Sequence, residues 1–204
     1  MNLLIAVPCM DFMQTKFVQS LVQMEKTAGC MISFAVGSLV YRARNLLAQQ
    51  AIDCGAEYVL WLDSDMVFEP DTLTRLLEDI EGRDIVTALY FRRVAPYTPV
   101  LMERLEIKDG QCINEHLKTY PSEIFEVDGC GFGCVLMRTE VLKTILEKDG
   151  PMWFAPMGNV GEDFAFCIRA RRHGYKVYCD PTLKLGHVGS IVVTEEFYGD
   201  RPSG

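Results

Sequence analysis

Tyr58-Val59-Leu60-Trp61-Leu62 is an apolar, strand-like run that stops abruptly at two carboxylates, Asp63 and Asp65, separated only by Ser64. A short apolar run bounded by polar residues has the pattern of a buried strand. Its neighbours repeat the theme. The opening Met1 to Pro8 is a first buried strand stopping at Pro8-Cys9-Met10-Asp11, and Cys30 to Val36 is a second ending at Gly37-Ser38. Between them Phe17, Leu21, Val22 and Met24 form an imperfect helical stripe. Ser38 is suited to cap a helix running through Cys54, with Leu39, Ala43, Leu46, Leu47 and Ala51 on one face and Gly55 just past its end. Pro70 fits a first helical turn, Leu73, Leu76, Leu77 and Ile80 form the next apolar face, and Asp84 to Thr87 opens a fourth strand. The first half therefore predicts a βαβαβαβ run and a mostly parallel sheet flanked by helices.

Residues 92–128 are punctuated by Pro96, Pro99, Asp109-Gly110 and Pro121 and read as hairpins and loops. Order returns with the glycine cluster Gly129 to Gly133, the strand Cys134 to Met137, and a helix from about Thr139. A further helix lies between Gly161 and Gly174, with Phe164, Cys167 and Ile168 facing the core, and Tyr175 to Cys179 is a closing strand. The 204 residues suit one domain, with 191–204 as a C-terminal extension. A net charge of −8 argues against a nucleic-acid partner. Eight cysteines, several inside apolar patterns, fit a reducing cytoplasm, and the short N-terminal apolar run is no membrane span.

In an open α/β sheet, ligands bind beyond the carboxyl ends of the strands, where Asp11, Gly37-Ser38, Asp63 and Asp65 fall. In a strand, residues i and i+2 share a side, so Asp63 and Asp65 would converge on one point and need a cation between them. His187, flanked by glycines in Gly186-His187-Val188-Gly189, is a third candidate ligand or an ordinary structural histidine. Glu162 and Asp163 open a helix, where acidic residues are favoured on electrostatic grounds alone.

In their order along the chain, Val7-Pro8-Cys9-Met10-Asp11, Ala43-Arg44-Asn45, Asp63-Ser64-Asp65, Gly131-Phe132-Gly133, Gly161-Glu162-Asp163 and Gly186-His187-Val188-Gly189 resemble nucleotide-sugar glycosyltransferases of the GT-A fold. The resemblance spans about Leu3 to Ser190 and points to the small inverting enzymes with an Asp-x-Asp core. It implies a single GT-A domain over 1–190. It also implies transfer of a sugar, of hexosyltransferase type, from a nucleoside diphosphate to a hydroxyl acceptor on a glycan, a lipid-linked sugar or a protein.

By the same resemblance Asp65, with Asp63 directly or through water, would hold Mn²⁺ or Mg²⁺ against the donor diphosphate, and His187 would complete the protein ligands. An imidazole ligand favours manganese. Asp163 matches the general base, and Glu162 would bind acceptor or orient the loop. Pro8, Asp11, Arg44, Asp63, Ser64, Gly131 and Gly133 would surround the donor, Arg44 either reaching its phosphates or bracing the Asp63 loop. Val36-Gly37-Ser38 lacks the acidic residue with which many members read uracil, so the base stays open. Trp153 and Phe154 could stack on an acceptor sugar or pack in the core, and Arg92 or Arg93 could add contacts to a diphosphate. Localisation is expected to be cytoplasmic, or peripheral to a membrane through the acceptor.

Two other readings compete. Asp63-Ser64-Asp65-Met66-Val67 fits the nucleophile motif of haloacid-dehalogenase-type phosphatases, though two strand–helix units precede it. A non-catalytic nucleotide-sugar binding module would keep the metal site without needing Asp163.

Overall fold

The computed structural model describes residues 2–37, 39–108 and 111–189. The capping role of Ser38, the Asp109-Gly110 turn and the C-terminal extension lie outside the described residues. In chain order the elements are β1 Leu3–Cys9, α1 Thr15–Gln23, β2 Cys30–Val36, α2 Val40–Asp53, β3 Tyr58–Leu62, β4 Met66–Val67, α3 Thr72–Asp79 and β5 Ile85–Leu89. They continue as β6 Leu101–Lys108, β7 Gln111–His116, β8 Phe125–Val127, β9 Gly129–Cys130, β10 Cys134–Arg138, α4 Thr139–Asp149, α5 Glu162–Arg172, β11 Val177–Lys184 and β12 Gly186–His187.

The main sheet has seven strands in the order β2-β1-β3-β10-β5-β11-β8. β1 pairs in parallel with β2 and β3, and β11 in parallel with β5. The sequence pattern predicts β3 and β5 as consecutive members of a parallel run, but β10 lies between them, antiparallel to both. Five of the seven strands still point one way, with β10 and β8 reversed. β6, β7 and β9 form a separate three-stranded sheet, and the two-residue strands β4 and β12 pair with each other.

The pleat sorts the strand residues between two cores. Leu4, Ala6, Val59 and Trp61 join Leu47, Ala48 and Ala51 of α2, Val141 and Ile145 of α4, and Phe166 of α5. Leu3, Ile5, Val7, Leu60 and Leu62 join Phe17 and Leu21 of α1 and Leu73 and Leu76 of α3. Trp153 and Phe154 are fully buried in the first of these. The Trp153 indole donates to the Leu142 carbonyl at 2.8 Å, and Phe154 stacks on Phe166 at 4.7 Å, so the core alternative holds for both. Val22, Leu39 and Leu46 are exposed, contrary to the predicted stripes, and so are Ile32, Phe34 and Val36 on the edge strand β2. Pro70 precedes α3 rather than entering its first turn. All eight cysteines are free, and five are buried.

One carboxylate carries a stability consequence. Burial, then the charge of Asp180 and a hydrogen bond shared with it, push Asp79 up to about 6, against 3.8 for an ordinary aspartate. Between those two pH values the folded chain holds a proton that the unfolded chain has lost, so stability falls as pH rises through this window. Asp79→Asn is therefore expected to raise the melting temperature at pH 8 by roughly 1–3 °C, the size of a partly solvated charge pair. Below pH 3.8 the two proteins should melt together; equal melting at pH 8 would remove the explanation.

Candidate active site

The carboxyl end of β3 opens into a turn. The Asp63 N–H donates to the Gly133 carbonyl at 3.1 Å, and the Met66 N–H donates back to the Asp63 carbonyl at 3.2 Å. The strand stops at Leu62, so the rule for alternate residues of a strand does not govern Asp63 and Asp65. Their side chains take different partners, and each charge is met by its own arginine.

Asp63 faces Arg44. This guanidinium, 1 % exposed, rises from α2 and is one of the largest fully buried side chains. Nη2 donates to Asp63 Oδ1 at 2.7 Å, while Nη1 donates to Glu162 Oε1 at 2.8 Å and to Asp163 Oδ1. Phe132 and Phe154 flank its plane, with centroids 5.4 and 5.8 Å from Cζ. Burial disfavours the cation, but Asp163, Asp63 and Glu162 outweigh it and raise the Arg44 pKa. Of the two roles open to Arg44 in the sequence, the geometry displays the brace: one buried fork joins the turn after β3 to the start of α5.

Asp163 is fixed at both oxygens. Oδ2 accepts the Phe132 N–H at 3.2 Å, opposite the Arg44 contact on Oδ1. Burial pushes its carboxyl up to about 7; Arg44 opposes this, and the charges of Asp63 and Glu162 add to it. Burial likewise raises Asp63, against the pull of Arg44.

Asp65 belongs to a second group. Its Oδ2 accepts from Arg93 Nη1 at 2.5 Å and lies 3.4 Å from His187 Nε2. The β12–β4 pairing sets His187 opposite Met66, and the Val188 N–H donates to the Asp65 carbonyl at 2.8 Å. The chain passes close by here: a Cβ at Gly189 would stand 3.3 Å from the Arg93 Cβ and 3.6 Å from its carbonyl oxygen. Burial acts to raise Asp65, but the hydrogen bond and charge of His187, with Arg93, hold it below the usual carboxylate range.

Arg44, Asp63, Glu162 and Asp163 of the first group and Asp65 and Arg93 of the second line one pocket of about 300 Å³, together with Pro8, Cys9, Met10, Gly37, Val40 and Ser64. Pro8, Arg44, Asp63, Ser64, Asp65, Glu162 and Asp163 are thus gathered as the sequence suggests, with His187 behind Asp65. Asp11 is exposed and does not line it. Gly131 and Gly133 do not line it either; they make room for Tyr90. A Cβ at Gly131 would fall 2.1 Å from the Tyr90 hydroxyl, which also accepts the Gly133 N–H at 3.1 Å. Their smallness is accounted for by the Tyr90 ring packed against them.

A family model described as "Glycosyl transferase family 2" matches residues 18–146, more than half of the chain. The chain belongs to glycosyl transferase family 2. A relative, the "Mannan polymerase complex subunit MNN9" of Candida albicans, is 26% identical over 187 residues, covering 74% of this chain. The alignment spans 49% of that relative, so the chain corresponds to about half of its length. Among solved structures, A197 from STIV superposes with a TM-score of 0.67 at 20% identity, covering 93% of this chain and 87% of that one. GalNAc-T7, solved with UDP, GalNAc and Mn²⁺, gives a TM-score of 0.63 at 11% identity over 91% of this chain and 43% of its own. Both share the GT-A-type α/β fold described above.

In this member of the family, Asp65 and His187 are two adjoining groups of the kind that ligate a divalent ion. His187 Nδ1 lies 2.9 Å from the Phe91 carbonyl, which can only accept, so Nδ1 carries the proton. In the neutral ring Nε2 then presents its lone pair toward Asp65 Oδ2, two acceptors face to face. A second proton would fill that gap, and the hydrogen bond to Asp65 does raise the His187 pKa. A cation shared between imidazole and carboxylate would fill it equally well. Among the described residues, no three His, Cys, Asp or Glu side chains close around one point, and Asp63 is turned to Arg44 instead of completing the trio expected with Asp65 and His187. The donor set fits an ion whose remaining ligands come from phosphate and water.

The sequence motifs do not reveal Tyr90, the ring around which the Gly131–Gly133 turn folds, or Val40 on the pocket rim beside Met10 and Gly37. Tyr90 ends an apolar run and carries no local signal. The pairing of Arg93 with Asp65 is equally silent, because 28 residues separate them.

Proposed function

We propose that the chain is a divalent-metal-dependent glycosyltransferase that moves a hexose from a nucleoside diphosphate to a hydroxyl acceptor with inversion. The observation that carries this reading is the one pocket lined both by Asp65, with His187 behind it, and by Asp163, whose basicity lies near neutrality and which buried Arg44 ties to Asp63. A bound divalent ion would neutralise charge developing on the departing diphosphate, with Asp65 and His187 holding it. The protein's own work is positional. Arg44 and the Phe132 N–H fix the two oxygens of Asp163, each of which keeps a lone pair for the acceptor's proton. A base with a pKa near 7 is both available and strong enough at neutral pH. Asp163 is held across Arg44 from Asp63, a layout suited to a single displacement with attack opposite the leaving group.

The fungal relative's place in a mannan polymerase complex makes a mannose-bearing donor the first to test. Eight free thiols suit a reducing cytoplasm, and among the described residues no helix is long and apolar enough to cross a membrane. The family match leaves the phosphatase alternative without support.

A thermal-shift series with nucleoside diphosphates and sugar nucleotides, with and without Mn²⁺, tests the reading. A true donor at a hundred times its Kd adds about 2.7 kcal/mol, roughly 5–10 °C for a domain of this size. That shift should require the metal. No shift with any donor would sink the proposal, whereas a shift with the donor left intact by every hydroxyl acceptor would favour the binding module.

A further inference from the structure

The two arginines of the pocket are held very differently. Arg44 is sealed in the core by three carboxylates and two aromatic rings. Arg93 has a side chain 52 % exposed, and its ion-pair partner is Asp65. It donates to Asp65 Oδ2, the same oxygen that faces His187 Nε2 at 3.4 Å. A divalent ion placed on that oxygen would have a guanidinium in its immediate surroundings, and like charges repel most strongly at contact. The Arg93 Cβ lies close to Gly189, and its half-exposed charged end lines the pocket, tied there only to Asp65 among the contacts described.

We propose that Arg93 is an exchangeable counter-ion: it neutralises Asp65 until a divalent cation arrives, yields that carboxylate oxygen, and then binds the donor's diphosphate. This rests on the metal-assisted reading above and adds a residue to it. The exchange means that Arg93 opposes one ligand and favours the other, which a merely structural residue would not do. A guanidinium suits the second task, since it can meet two phosphate oxygens with parallel N–H donors.

Isothermal titration with Mn²⁺ alone, and then with pyrophosphate at saturating Mn²⁺, compares the wild-type chain with Arg93→Ala. Because the side chain is half exposed the variant should fold, and its melting curve checks this. Losing an exposed ion pair should tighten Mn²⁺ binding about fivefold. Losing a charge-assisted contact should weaken pyrophosphate binding about tenfold. Arg93→Lys, which keeps the charge, should recover part of the pyrophosphate affinity. Unchanged or weaker Mn²⁺ binding in Arg93→Ala overturns the exchange while leaving the metal reading intact. No Mn²⁺ uptake by either protein overturns both.

Discussion

Asp163→Asn is expected to lower turnover about 10²–10⁴-fold, the usual worth of a positioned general base, while donor binding in the thermal-shift experiment stays intact. Asparagine has nearly the same shape, and its amide oxygen can still accept from Arg44 or from the Phe132 N–H, so the start of α5 should keep its place. What it cannot do is take the acceptor's proton. The pH profile gives an independent check. Burial raises Asp163 to about 7, and only its ionised form is a base, so kcat/KM should climb as pH rises through 7 and level off above. Asp163→Asn should flatten that limb. Retained turnover with an unchanged profile would remove Asp163 from the chemistry.

Arg44→Ala is expected to cost about 3–5 kcal/mol of folding stability, because it strands partly buried carboxylates around an empty volume. Asp63, Glu162 and Asp163 would then repel one another in the low-dielectric space between α2, α5 and the turn after β3. Urea unfolding measures the loss. The same variant should become more stable as pH falls and protonates these carboxylates, narrowing its deficit relative to wild type. Arg44→Lys keeps one charge but cannot reach three acceptors with a planar fork, so it should fall between the two. A loss below 1 kcal/mol would show that the fork is decorative.

The alternation of strand and helix was legible because apolar runs and helical stripes are local properties of the chain. Leu3–Cys9, Tyr58–Leu62 and Cys134–Arg138 are strands where the pattern places them. The insertion of β10 between β3 and β5 was not legible, since backbone hydrogen bonds carry no side-chain signature. Exposure misled in the same way: β2 lies on the sheet edge, and its residues resemble those of a central strand. At the candidate site, the acidic residues and the arginines are both legible as candidates, whereas their pairing is not, except for the Arg44 brace on the Asp63 loop. Arg44 meets Asp163 across 119 positions, and only the folded chain shows that connection. The alternate-residue rule failed at Asp63 and Asp65 because the strand stops one residue too early.

The turn Gly131-Phe132-Gly133 is held through its main-chain groups: the Phe132 N–H donates to the Asp163 carboxylate, and the Gly133 carbonyl accepts the Asp63 N–H. With the Tyr90 ring packed against both glycines, this segment links the Asp63 and Asp163 sides of the pocket. A substitution that shifts the turn is therefore expected to disturb both aspartates together. Substitutions at these three residues therefore have little freedom, whereas the exposed rim residues Met10 and Val40 line the pocket without anchoring either carboxylate.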